Sequence, residues 1–300
     1  MSKFIIFTDT ASDLNKETRE KFGVQYYQMG LVIDGRNTVA DLDWGEFSSD
    51  EFYKMLEDHH KIKTTLITVE TIVKDSKPWL EKGYDILYLG CSTALTGSLN
   101  SYNLAKEVLL EEFPARRMEA SQTYLASAGL GLLVKDAATR QKEGKSIDEV
   151  MKWVEDNRFF YNQFCTVDTL YYLKENGRIS GSKAFFGNLL GVKPIFISDR
   201  KGNNLVTEKA KGTKASLETL VQRTIENIDI KKDSRVVIMH SVCPDRVEII
   251  KKRLIEELGE SIQIEVGVLG PIIGGTTGPN TIAVFFYGRE VTRYEGDGQD

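Results

Sequence analysis

The sequence predicts a two-domain α/β protein, and three observations carry that prediction. Over the first half, short apolar runs of buried-strand type alternate with amphipathic stretches, as in "KFIIFTD" (3–9), "YDILYLG" (84–90) and the helical patterns that follow them. After about residue 162 the rhythm changes: strand-like runs come closer together and only two long helical patterns separate them. The chain has 300 residues, 41% of them hydrophobic and 28% charged, a composition that supports a sizeable core and two domains of ordinary size.

The elements follow in order. "NKETREKFG" reads as a small helix stopped by Gly23, and "VQYYQMGLVIDG" as a strand with its turn. Ser48 and Glu51 form a capping-box pattern, so a helix starts at "EFYKMLEDHH". "KIKTTLIT" (61–68) suits a loop or short strand. "SLNSYNLAKEVLLEEF" is a helix, "ARRMEAS" a strand, and "QTYLASAGLGLLVKDAATRQKEG" a helix with a wide apolar face. Ser146 and Glu149 cap the next helix. This alternation predicts a mostly parallel sheet with helices on both faces. Beyond it, "QFCTVD", "KPIFISD", "NLVTEKA", "SRVVIMHS", "SIQIEVGVLG" and "TIAVFFYG" read as strands, with helices over 214–228 and 245–258. That half predicts a sheet with some antiparallel pairing and helices on one side. The boundary is placed near residues 160–166, giving domains 1–162 and 163–300. The tail "YEGDGQD" reads as loose.

A net charge of −5 argues against a general nucleic-acid or anionic-membrane binder, since both want a basic surface. Three widely spaced cysteines (Cys91, Cys165, Cys243) argue against a disulfide framework and for a reducing compartment. With three histidines, no cluster has metal-ligand spacing, and no cofactor fingerprint occurs. The N-terminal apolar run is too short for a signal peptide, and no run reaches the length of a membrane span. The expectation is a cytoplasmic protein with no metal and no cofactor.

Ligands of a parallel sheet bind beyond the carboxyl ends of its strands. Three loops rich in hydroxyls stand there: "TDTASD" (8–13), "KTTLIT" (63–68) and "CSTALTG" (91–97). "GCSTA" (90–94) comes near the nucleophile-elbow pattern, with Ala94 for the second glycine. A hydrolase built on Ser92 would use His240, the one histidine downstream. Against that, Ser92 and Thr93 at a helix start suit the binding of an anion by hydroxyls and backbone N–H groups. "GKS" (144–146) is a helix start, with Thr139 where a phosphate loop needs its first glycine, and "GLG" (129–131) is a packing feature. "IGGTTGPN" (273–280) reads as a tight turn or as a backbone-and-hydroxyl wall of a ligand site. His59 and His60 end an amphipathic helix and read as solvated. Arg178 follows the turn Asn176-Gly177 and borders the apolar run "AFFGNLLGV" (184–192), with Lys174, Lys183 and Lys193 nearby. An arginine at the mouth of an apolar pocket suits an amphiphile with an anionic head.

Five segments in order resemble the DegV family. The family's "TDSTADL" corresponds to "TDTASDL" (8–14), "KTSQ" to "KTTL" (63–66) and "SSGLSGT" to "STALTGS" (92–98). "GGRIS…LLNIKPI" corresponds to "NGRIS…LLGVKPI" (176–195), and "IGTHTGPG" to "IGGTTGPN". The resemblance runs along the whole chain. It implies two α/β domains with a lipid site in the cleft between them. It implies one bound long-chain fatty acid, presented to a separate kinase subunit that uses ATP to make acyl-phosphate for phospholipid synthesis. On that resemblance Thr64, Ser92, Thr93 and Thr276 surround the fatty-acid carboxylate, and Arg178 serves the phosphorylated head and the partner kinase. The chain itself then performs no catalysis. Thr276 stands where the family has histidine, and Gly275, Ala11 and Asn280 also depart from the pattern. A hydroxyl can donate to a carboxylate but lacks the charge of a protonated imidazole.

Overall fold

The computed structural model describes residues 3–179 and 191–294. The apolar run 184–190, Lys183 and the tail beyond 294 lie outside the described residues. In chain order the first elements are β1 (Phe4–Asp9), α1 (Lys16–Phe22), β2 (Gln25–Tyr27), β3 (Gly30–Ile33), β4 (Arg36–Val39) and α2 (Ser49–Glu57). Then come β5 (Ile62–Thr65), α3 (Val69–Glu81), β6 (Asp85–Gly90), α4 (Ser98–Glu112), β7 (Met118–Gln122), α5 (Ser127–Lys142) and α6 (Ile147–Asn157). The second half holds β8 (Tyr161–Thr166), α7 (Tyr171–Glu175), β9 (Val192–Ser198), β10 (Asn204–Lys211) and α8 (Gly212–Asn227). It ends with β11 (Arg235–His240), α9 (Pro244–Leu258), β12 (Gln263–Val268), α10 (Pro271–Thr277) and β13 (Ile282–Tyr287).

The strands form three sheets. A parallel sheet runs β2-β1-β6-β7, a small antiparallel sheet runs β4-β3-β5, and a mixed sheet runs β10-β9-β8-β13-β11-β12. The α/β class and the mixed second sheet are as the sequence predicts. Both capping boxes form: Ser48 with Glu51 and Ser146 with Glu149 exchange their bonds at the starts of α2 and α6.

Four local expectations are corrected. The run 24–35 is two strands, β2 in the parallel sheet and β3 in the antiparallel one. Thr10 Oγ1 holds the switch between them, donating toward the Tyr27 and Ala40 carbonyls and accepting from the Met29 N–H. The helix α3 has no counterpart in the sequence reading. Its interior Pro78 lacks an N–H to give the preceding turn, so the local signal argues against the helix that packing secures. α5 starts only at Ser127, because Tyr124 and Ser127 take left-handed backbone (φ 61° and 51°). Finally, 273–277 is not a turn but part of α10, opened by Pro271 at its first turn. Gly274 is required inside it, since a Cβ there would collide with the Tyr53 hydroxyl.

Strand alternation gives the mixed sheet two faces. Ile282, Val284 and Phe286 join Val236, Ile238, Ile195 and Ile197 in a cluster that packs on α8 and α9. Ala283, Phe285 and Tyr287 point the other way, into the core shared with the N-terminal half, where α5 packs on β8 and β13.

Candidate functional site

A cavity of about 320 Å³ lies between the inner face of the mixed sheet and the strand ends of the N-terminal half. All three hydroxyl-rich loops reach it: Ala11 from the first, Thr64, Thr65 and Leu66 from the second, Cys91, Leu95, Thr96 and Gly97 from the third. Phe196, Leu269, Ile272, Ile273, Ala283 and Phe285 supply an apolar wall.

Buried polar groups fix these loops. Asp9 is fully buried at the end of β1 and accepts from the Tyr88 hydroxyl (2.7 Å), the Cys91 N–H (2.8 Å) and the Ala11 N–H (3.0 Å). One carboxylate thus ties two cavity loops to the sheet. Burial still raises its pKa against the lowering effect of those donors. Asp13 accepts from the Ser127 hydroxyl (2.6 Å) and from the Gly270 N–H (3.0 Å), so it joins the N-terminal loop to the segment leading into α10. Burial pushes its pKa up to about 7, while the two donors hold it down.

Of the sequence-derived site residues, Thr64, Arg178 and Thr276 line the cavity together. Thr64 projects from β5 beside α10, and its hydroxyl has no partner among the described residues. Arg178 donates through Nε to the Leu95 carbonyl (2.6 Å) and through Nη1 to the Asn176 carbonyl. The Asn176 amide reaches the Gly275 carbonyl (3.5 Å), so the arginine is braced between the 91–97 loop and α10. Thr276 spends its hydroxyl proton on the Ile272 carbonyl one turn back (2.8 Å).

Ser92 and Thr93 do not line the cavity. Ser92 is fully buried, its Oγ accepts the Ala94 N–H (3.2 Å), and Gly202 packs against it so closely that no side chain would fit there. Thr93 is exposed and bonds to the Gln122 amide. No hydrogen bond joins Ser92 to His240. The His240 Nδ1 accepts from the Cys243 N–H (3.1 Å), and partial burial lowers its pKa. No helix of the described residues is long and apolar enough to cross a membrane, and among them no group of three or more His, Cys, Asp or Glu could hold a metal ion.

Sequence reading missed Gln163, Ser127 and Thr281 as cavity residues. For Gln163 the signal was present, since a strand "YNQFCT" with period two puts it on the same face as Cys165.

The model of the family described as "Uncharacterised protein, DegV family" matches residues 3–289. A DegV domain-containing protein of Clostridium perfringens is 36% identical over 288 residues, covering 96% of this chain and 98% of that one. A DegV family protein from Thermus thermophilus, described as fatty-acid binding, has a TM-score of 0.81 at 26% identity, with 96% of this chain and 100% of that one covered. A stearic-acid-binding protein of Eubacterium ventriosum shares the fold, with a TM-score of 0.82 at 23% identity over 94% of this chain and 98% of that one. A family match along nearly the whole chain, together with a relative 36% identical over 96% of it, makes this protein a member of the DegV family.

Proposed function

We propose that the protein binds a long-chain fatty acid in this cavity and presents its carboxyl end to a separate kinase, which uses ATP to form the acyl-phosphate for phospholipid synthesis. The observation that carries the reading is the cavity itself: an apolar wall with the Thr64 hydroxyl, which has no partner among the described residues, and the braced Arg178 among its lining. Burial at about 0.8 kcal/mol per methylene gives ample gross affinity for an acyl chain. The polar end then has only to orient the carboxylate and keep it from being buried unpaired.

In this reading Thr64 donates to the carboxylate. Ser92 and Thr93 support it indirectly, by shaping the loop that delivers Leu95 and Thr96. Thr276 borders the head group where the family has histidine. Arg178 faces the developing phosphate and the kinase. The division into domains 1–162 and 163–300 belongs to the same proposal; a mixed sheet whose strands all come from residue 161 onward supports a division close to there, two residues before the expected boundary. The cytoplasm is the compartment this partner requires. The catalytic step belongs to the kinase, and no observation favours a hydrolase built on Ser92 and His240.

Solvent extraction of the purified protein followed by mass spectrometry tests the reading. One fatty acid per chain is the expected result. Failure to release one, together with failure to bind added fatty acids, would overturn it. Arg178→Ala should then keep lipid binding and lose phosphorylation by the kinase; unchanged phosphorylation would remove Arg178 from that role.

A further inference from the structure

A plain hydrocarbon tail leaves one side chain of the cavity without a use. Gln163 sits on β8, on the face that also carries Cys165. Its cross-strand partner is Phe285, and that of Cys165 is Ala283; all four line the cavity. Gln163 is only 9% exposed, yet its amide makes no hydrogen bond to any described residue. The neighbouring Asn162, on the opposite face, has both amide protons engaged: it donates to the Phe160 carbonyl (3.0 Å) and the Arg289 carbonyl (2.9 Å). A primary amide offers two N–H donors and an acceptor oxygen, and an apolar wall satisfies neither.

The position of this amide along the cavity matters. Thr281 lines the cavity too, and its hydroxyl bonds to the Thr277 and Gly278 carbonyls, which holds it at the end of α10, the helix that carries Thr276. Gln163 stands opposite Phe285, four residues further along, or about 13 Å at strand rise. It therefore meets the tail, not the carboxylate. Resting on the fatty-acid reading above, we infer that the preferred ligand is an acyl chain bearing an oxygen function along its tail, and that Gln163 is the specificity-determining residue that hydrogen-bonds it. A hydroxyl fits the amide fully, accepting from Nε2 and donating to Oε1. A keto oxygen uses the donor side alone.

The test is competition binding with stearic acid against two series of stearic acids carrying one hydroxyl or one keto group at successive mid-chain carbons. The wild-type protein is expected to hold at least one oxygenated isomer about five- to tenfold more tightly than stearic acid. Gln163→Leu should reverse that order, and Gln163→Met, unbranched and closer in shape, serves if the leucine variant fails to fold. The hydroxyl and keto series separate the two chemistries. Stearic acid bound as tightly as every oxygenated isomer by the wild type would overturn the inference while leaving the fatty-acid reading intact. So would equal weakening of all ligands by the substitution, which would place the amide at the carboxylate. Binding of no member of either series, nor of stearic acid, would sink both.

Discussion

The two faces of the mixed sheet are equally buried and differently filled. The outer face carries Phe164, Ile195, Ile197, Val236, Ile238, Val284 and Phe286, all large and apolar, closed by α8 and α9. The inner face carries Gln163, Cys165, Phe196, Ala283 and Phe285, in which polar, small and large side chains mix. The same strands, read at odd and at even positions, therefore make a dry core on one side and a cavity on the other. Burial alone does not mark a ligand site; mismatched size and unspent polarity do.

The comparison breaks most visibly at the neighbours Phe285 and Phe286. Phe286→Ala should cost about 3–5 kcal/mol of stability in denaturant unfolding and leave ligand selectivity unchanged. Phe285→Ala should cost less, because the space it vacates joins the existing cavity instead of becoming a sealed void, and should shift binding toward longer chains. Equal stability losses with no change in chain preference would erase the distinction between the faces.

Asp13 comes next, at the seam between the N-terminal loops and the segment entering α10. Its pKa of about 7 in the folded protein lies above the ordinary 3.8. Folding therefore takes up a proton between those values. The stability contributed by Asp13 is complete below about pH 4 and is lost as pH rises through about 7. Asp13→Asn stays neutral throughout and can keep both partners. Asparagine also tolerates the left-handed backbone at φ 49°. The variant should exceed the wild type by roughly 4 kcal/mol at pH 8, with the gap narrowing toward pH 4. Urea unfolding at pH 4, 6 and 8 measures this, and a gap that does not change with pH would show the carboxyl to be ionised at all three.

Much of this was legible in the sequence, and the gaps have physical causes. Strands whose residues are all buried, such as β1, β6 and β13, announce themselves as apolar runs, and capping boxes are local hydrogen-bond patterns. The three cavity loops were legible because small hydroxyl residues collect at strand ends. α3 and α10 were not. Each carries a residue that locally opposes a helix, Pro78 in one and the Gly274-Gly275 pair in the other, and tertiary packing overrides it. Ser92 carried no sign of its burial either, because contact with Gly202 across 110 residues of chain is not written into either segment.

At the polar end of the cavity the expected effects are smaller, and two threonines divide them. The Thr64 hydroxyl has no partner among the described residues and is half-buried, so Thr64→Val should leave the empty protein's stability nearly unchanged. It should weaken fatty-acid binding about tenfold, the worth of one hydrogen bond to a charged group.

Thr276→Val should do almost nothing. The Thr276 proton already goes to the Ile272 carbonyl, so what the hydroxyl presents to a carboxylate is lone pairs. Valine keeps the shape and removes that repulsion, so affinity should change by less than about threefold in either direction. A histidine at this position would bring a donor and, below about pH 6.5, a charge. Thr276→His should therefore tighten fatty-acid binding at pH 6 more than at pH 8, measured by calorimetry at both. If Thr276→Val instead weakens binding as much as Thr64→Val, the hydroxyl turns from Ile272 to the ligand on binding, and the head group is held by a pair of threonines rather than by one.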